Sequence, residues 1–401
     1  MRTSTRTTAG TLLIGLPMLV AAVGCDGTPS GAADTVTTTS ALSADHGDDD
    51  APFDHIFFIM MENHATDEII GNTADAPFIN SLAAHSAVAT NYFGVTHPSL
   101  PNYLAAISGS FQGIFDDCKA GQDITCAPEE FVPDSGDGTA AASLTPEETQ
   151  IATTTAHWFT GKNIVDQLEA HHKTWKVYMQ SIPANDPTVE FSPVDVVNGV
   201  EVPRKLYAQK HDPFMYFADI RNSPARMEKI VGFDQFASDL DHDKVPNFVW
   251  ISPDQCRDMH GLSAANAAAV GIPDCASPDS GLDHNVIALG DAFLKDTVTK
   301  IMHSRAWTRN SAIAIAWDED DFSGFAGCCE SPVGAGGVVL GGANAPAMVT
   351  VSRDAHAKTV DVPFNHYSML GTIEKLWHLG CLGEACEIHG HNLMTRLFDQ
   401  R

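Results

Sequence analysis

Apolar residues fall into two spacings that alternate along the chain. Five short apolar runs read as buried strands: residues 53–61 (FDHIFFIMM), 175–181, 247–252, Ser311–Trp317 and Ala347–Val351. Each is rich in β-branched or aromatic residues and bounded by polar residues or proline, as strands covered on both faces are. Between them, apolar residues three and four apart predict helices over 77–85, 100–107, 164–171, 233–240, 286–303 and 367–379. Strands alternating with helices predict an α/β fold, a mostly parallel central sheet with helices on both faces. Two stretches read as long loops, 116–158 and the Gly-rich 322–346; loops of that length are usually functional or inserted.

The N-terminus departs from this pattern. Arg2 and Arg6 precede a 13-residue apolar run over 11–23, and then come Gly24 and Cys25. A basic start, a short apolar stretch and a small residue before cysteine read as a signal peptide over 1–24. A membrane-spanning helix needs about 20 apolar residues. Ala22-Val23-Gly24-Cys25 resembles a bacterial lipobox, so either Cys25 carries a lipid or ordinary cleavage releases the protein. Residues 25–51, rich in Thr, Ser, Ala, Gly and Asp, read as a tether, and 52–401 as a single catalytic domain. The chain is thus expected to be exported, either secreted or held at a bacterial cell envelope.

Composition narrows the partners. The 51 acidic and 23 basic residues give a formal charge of −28, which disfavours nucleic acid and anionic membrane surfaces. An anionic substrate then needs local compensation from a metal ion, histidines or a helix N-terminus. After Cys25, eight cysteines remain, an even number that suits disulfides in an exported protein. Cys118–Cys126, Cys256–Cys275 and Cys381–Cys386 can each close locally. Cys328 and Cys329 are left to bridge each other or to pair elsewhere.

Chemistry collects where the predicted strands end. Glu62-Asn63 follow the first; Asp254, Asp258 and His260 follow the 247–252 run; Asp318-Glu319-Asp320-Asp321 follow Ser311–Trp317. Ligands of open α/β sheets bind at the carboxyl ends of strands. Carboxylates converging there suit Ca²⁺, Mg²⁺ or Mn²⁺, and added histidine suits Zn²⁺ or iron. Ser99 stands at the start of a predicted helix with Pro101 in its first turn. It can cap that helix, or its hydroxyl can attack a phosphate held at the helix N-terminus. His171, His172, His284, His389 and His391 read as surface or capping residues.

The run S-L-P-N-Y-L-A-A-I-S-G from Ser99 resembles the nucleophile segment of the alkaline-phosphatase-like superfamily. In the nucleotide pyrophosphatase branch that segment reads T-F-P-N, with threonine as nucleophile. Six ordered motifs make the chain more similar to the bacterial phosphoesterase family of secreted acid phosphatases and phospholipases C. They are M-E-N-H (61–64), T-H-P-S-L-P-N-Y-L (96–104), K-H-D-P-F (210–214), C-R-D-M-H (256–260), W-D-E (317–319) and N-H-Y-S-M-L (365–370). The resemblance implies an alkaline-phosphatase-like fold and a divalent metal held by Glu62, Asn63, Asp318 and Glu319, with Ser99 Oγ as a further ligand. It places His97, Asn102 and His211 around the phosphate. Asp258, His260 and His366 lie opposite, as second-metal ligands or proton donors, His260 first and His366 second.

The implied reaction is hydrolysis of a phosphate monoester through a phosphoserine on Ser99, the substrate being a small phosphorylated molecule or a lipid headgroup such as a phosphoinositide. A phospholipase C-type phosphodiesterase and a non-catalytic metal-binding surface lipoprotein are the alternatives. The chain departs from the family pattern at Asp212 and Asp254, where asparagine is usual, at Gln180, where glutamate is common, and at the Cys328-Cys329 pair after the acidic loop.

Overall fold

The computed structural model describes residues 53–129, 143–277, 284–308, 310–352 and 357–399. The expected signal peptide, Cys25 and the tether lie outside them. Eight strands form the central sheet: β1 (His55–Met61), β2 (Ala87–Ala89), β3 (Trp175–Met179), β4 (Ile230–Gly232), β5 (Phe248–Ser252), β6 (Ser311–Trp317), β7 (Ala347–Val351) and β8 (Lys358–Val360). Their order is β8-β2-β7-β6-β1-β5-β3-β4. Pairing is parallel throughout except at β7, which runs against both β6 and β2.

The unbroken apolar run of β1 has a direct cause: both faces are covered. Ile56, Phe58 and Met60 pack with α2 (Ser99–Ser108), α3 (Ile164–Ala170) and α6 (His366–Leu376). Phe57, Ile59 and Met61 point the other way, to α1 (Pro77–Ala83), α4 (Asp234–Asp241) and α5 (His284–His303). Alternate residues of a strand face opposite sides, so each must be apolar here. Burying each of these side chains contributes about 1.5–3 kcal/mol.

The five predicted strands and six predicted helices are all present, with ends shifted by a few residues. Shorter elements carried too little periodicity to be read: β2, β4 and β8 have three residues each. The expected 116–158 loop contains a helix, Pro146–Thr154, capped by Thr145 and Glu148. Only Ala152 of it is buried, so no apolar stripe marked it. A two-stranded hairpin, Phe191–Val197 with Val200–Ala208, also went unpredicted. Val194, Val196, Val197 and Val200 sit on both faces toward the tip and remain exposed, and Pro193 and Pro203 obscure the alternation. The hairpin's second strand runs directly into the turn Gln209–His211.

Among the described residues four disulfides close: Cys118–Cys126, Cys256–Cys275, Cys328–Cys329 and Cys381–Cys386. The adjacent cysteines therefore bridge each other.

Candidate active site

Strands β5, β1 and β6 are neighbours and parallel, so the polar residues after each one meet at the carboxyl end of the sheet. The backbone ties them together. The Glu62 amide donates to Asp258 O (2.8 Å) and the Asp318 amide to Met61 O (3.0 Å). The Asn63 amide donates to Asp318 Oδ1 (3.1 Å).

The loop leading to Ser99 crosses the acidic loop at Gly94. A Cβ there would lie 2.9 Å from Asp318 O and from Gly342 Cα, so only glycine permits this approach. Asn102 then locks the loop. Its Oδ1 accepts from the amides of Val95 (2.7 Å) and Thr96 (3.2 Å), and its Nδ2 donates to Thr96 O (2.6 Å) and Pro98 O (3.1 Å). Ser99 is the first residue of α2, with Pro98 at the N-cap position. Its hydroxyl does not cap the helix. Ser99 Oγ, in a side chain only 1% exposed, donates toward Glu62 Oε2 (2.9 Å), with Glu319 Oε1 at 3.2 Å and Asn63 Oδ1 at 3.5 Å.

The histidines divide by environment. His211 stacks on Tyr103 of α2, ring centroids 5.2 Å apart, between Glu62 Oε1 and Asp258 Oδ2, each at 3.2 Å. The His260 amide donates to Asp258 Oδ1 (2.8 Å) and its Nδ1–H to Gly261 O (3.0 Å), leaving Nε2 turned to Lys210 Nζ at 3.4 Å. His97 bonds Glu319 through Nδ1 and Gly324 O (3.2 Å) through Nε2, under the ring of Phe322. His366 gives Nε2–H to Asp318 O (2.6 Å) and accepts from Tyr92 Oη (2.8 Å) at Nδ1. Both nitrogens of His366 are thus engaged behind Asp318, and Asn102 spends its whole amide on the loop. Asp254 binds Arg257 (2.7 Å) and Ser181 (2.7 Å), beside rather than within the cluster. His284 pairs with Asp75 at the surface.

Burial governs the charges. It lifts Glu62, Asp258, Asp318 and Glu319 well above ordinary carboxylates, and each is raised further by a neighbouring carboxylate. Burial also pushes His260 and His366 down to about 4, and lowers His211 and His97. Burial alone would lower the Lys210 ammonium as well, but Asp117 and Glu62 hold it above its ordinary value. Glu62 Oε1, Asp258 Oδ2, Asp318 Oδ2 and His211 Nε2 are buried without a hydrogen bond among the described residues. Buried carboxylate oxygens and a ring nitrogen left without hydrogen bonds are costly, and a divalent cation is a partner that fits them. Glu62, His211 and Asp258 offer ligand atoms within 4.8 Å of one another.

Two residues of this cluster escaped the sequence reading. Lys210 lies one position before His211 in K-H-D-P-F, and that adjacency was its one signal. Asp117 sits in the long loop beside Cys118, outside every motif, and nothing local marks it.

Asp212 yields a separate expectation. It is fully buried and neither carboxylate oxygen meets a donor in good geometry; burial pushes it up to about 8. A folded-state value above the unfolded one gives stability that is complete below about pH 4 and lost as pH rises through about 8. Asp212→Asn, matching the neutral acid in shape, is therefore expected to leave urea stability at pH 4 unchanged. At pH 9 it should raise stability by several kcal/mol, at about 1.4 kcal/mol per pK unit. Equal stability of the two proteins at pH 9 would refute this.

The model of the Phosphoesterase family matches residues 72–380. A probable acid phosphatase of Kluyveromyces lactis is 23% identical over 333 residues, 83% of this chain and 60% of that protein; the chain thus spans less than two thirds of this relative's length. A phosphatidylinositol-3-phosphatase of Mycobacterium tuberculosis is 26% identical over 335 residues, 83% of this chain and 80% of that protein. A solved alkaline phosphatase superfamily protein from Vibrio parahaemolyticus aligns over 83% of this chain and 68% of its own, at 13% identity and a TM-score of 0.43. On the family match, extending over most of the chain, the protein belongs to the Phosphoesterase family.

Proposed function

We propose that the chain hydrolyses phosphate monoesters with Ser99 as nucleophile and a divalent cation in the carboxylate cluster. One observation carries this reading: Ser99 Oγ is buried against Glu62 Oε2 and Glu319 Oε1, among carboxylate oxygens that accept no hydrogen bond from the described residues. A hydroxyl that only capped a helix would bond the amides of its own first turn. The names of the Kluyveromyces and Mycobacterium relatives support the same class.

Glu62, Asn63, Asp318 and Glu319 would hold the cation beside Ser99, with Asp258 and His211 completing the set near Glu62. When bound there, a cation would favour the serine alkoxide and polarise a phosphoryl oxygen. Glu62 Oε2, already accepting from Ser99, takes the hydroxyl proton as Oγ bonds to phosphorus. The bond to the alcohol breaks, and the alcohol leaves with that proton, relayed by His260. Water then attacks the phosphoserine: its oxygen bonds to phosphorus, Oγ leaves, and the serine regains a proton from that water. His366 positions Asp318, and Asn102 positions the serine loop. His97 orients Glu319.

We place this activity outside the cytoplasm, where four disulfides persist and where the N-terminal sequence would direct the chain. Among the described residues no helix is long and apolar enough to cross a membrane. The substrate is a small phosphomonoester or a phosphorylated lipid headgroup. The test is a paired assay of purified protein on p-nitrophenyl phosphate and on phosphatidylcholine vesicles, after chelation and after adding back Ca²⁺, Mg²⁺, Mn²⁺, Zn²⁺ or Fe²⁺. Metal-restored release of p-nitrophenol, with phosphatidylcholine untouched, is expected. Phosphocholine release without monoesterase activity would establish the diesterase instead, and metal binding with no turnover on either substrate would reveal a binding protein.

A further inference from the structure

We propose that Lys210 is a catalytic residue that holds positive charge on Ser99 Oγ throughout turnover, and that Asp117 is its positioning residue. This rests on the reading of Ser99 as nucleophile. An ammonium has three N–H donors and no acceptor, and Lys210 has three acceptors around it. Nζ lies 2.7 Å from Asp117 Oδ2, 3.3 Å from Ser99 Oγ and 3.4 Å from His260 Nε2. The His260 contact has the right polarity. Its Nδ1–H is given to Gly261 O, so Nε2, whenever it is not carrying the leaving-group proton, presents a lone pair to the lysine.

Asp117 links this cation to the nucleophile's own helix. Oδ2 holds Lys210, while Oδ1 accepts the amide of Leu100 at 2.9 Å, the residue after Ser99. One carboxylate therefore sets the distance from Nζ to the first turn of α2. Its loop is anchored in turn. Asp116 accepts the Cys118 amide (2.9 Å) and pairs with buried His157 (2.8 Å), and Cys118 is bridged to Cys126. An ion pair serving stability alone needs neither the serine contact nor the bond to Leu100.

The chemistry fits a fixed cation. As Oγ attacks, negative charge grows on it before the bond to phosphorus is complete. As the phosphoserine is cleaved, charge returns to Oγ as leaving group, until water supplies its proton. A cation preorganised on that oxygen favours both transition states and needs no reorganisation. Lys210 neither gains nor loses a proton in either half.

Lys210→Met should lower kcat and kcat/KM together by about 10²- to 10³-fold, the scale for one oxyanion donor, with metal content and thermal unfolding retained. Lys210→Arg should recover part of the loss, and methylammonium should partly restore Lys210→Ala. Asp117→Asn should cost about 10- to 100-fold in kcat, yet add little in the Lys210→Met background, because it acts through the lysine. The proposal is overturned if Ser99→Ala is inactive while Lys210→Met keeps kcat within about threefold of wild type. It is also overturned if neither arginine nor methylammonium restores activity, or if the Asp117 and Lys210 losses simply add. An active Ser99→Ala would remove the nucleophile itself, a failure visible in that variant alone.

Discussion

Ser99→Ala is expected to lower kcat on a phosphate monoester by on the order of 10⁴-fold or more, the scale seen when a covalent nucleophile is removed. The size follows from what the oxygen touches. Ser99 Oγ contacts Glu62, Glu319 and Lys210, and none of those groups can replace it as an attacking atom with the same path to phosphorus. The fold should survive. The substitution takes away one buried hydroxyl and leaves its partners less satisfied, a cost of about 1–3 kcal/mol, while the helix keeps its Asn102 lock and its contacts with the core. Steady-state kinetics beside a thermal melt and a metal assay separate the two effects. Metal-dependent turnover near that of wild type would remove Ser99 from the mechanism.

Asp318→Asn is expected to abolish activity to a similar degree and, in the metal-free protein, to raise stability. In that state Asp318 is fully buried beside Glu319 and near Glu62. Burial first, and the neighbouring carboxylates second, raise its proton affinity. By the same sign as at Asp212, the contribution to stability is complete at low pH and lost as pH rises through the raised folded-state value. Asparagine removes the charge and keeps an oxygen for the Asn63 amide. The chelated variant should therefore melt several degrees above chelated wild type at pH 8, with the gap closing at pH 4. Adding a divalent cation should stabilise wild type strongly, since it binds only the folded site, and the variant much less. A chelated variant that melts at or below chelated wild type at pH 8 would show that the carboxylates are not the strained element of the empty cluster.

Much of this architecture is legible in one dimension. The run FDHIFFIMM can be satisfied only by a strand covered on both faces, because its side chains alternate between two sides and all but the first few are apolar. The placement of Glu62, Asp258 and Asp318 at the carboxyl end of the sheet follows from neighbouring parallel strands that each lead into carboxylates. Elements that bury little or alternate poorly were not legible. The helix Pro146–Thr154 buries one alanine, and the Phe191–Ala208 hairpin leaves its tip valines exposed on both faces. Their pattern carries no period because nothing packs against most of their surface.

At the site the division falls between which residues are present and what they touch. Sequence alone determined the strand-end carboxylates, the serine at a helix start, and the order of motifs that match one family, because hydrophobic spacing and local backbone preference act over a few residues. Tertiary structure alone decided that Ser99 faces Glu62 and Glu319 and does not cap its helix. It decided that His366 stands behind Asp318, that Asn102 secures the loop, and that Asp117 joins Lys210 to the Leu100 amide. Those contacts bridge separations of 93 residues for Asp117 and Lys210 and 220 for Ser99 and Glu319. They depend on strand order and register, which bring distant segments together only once the whole sheet has formed.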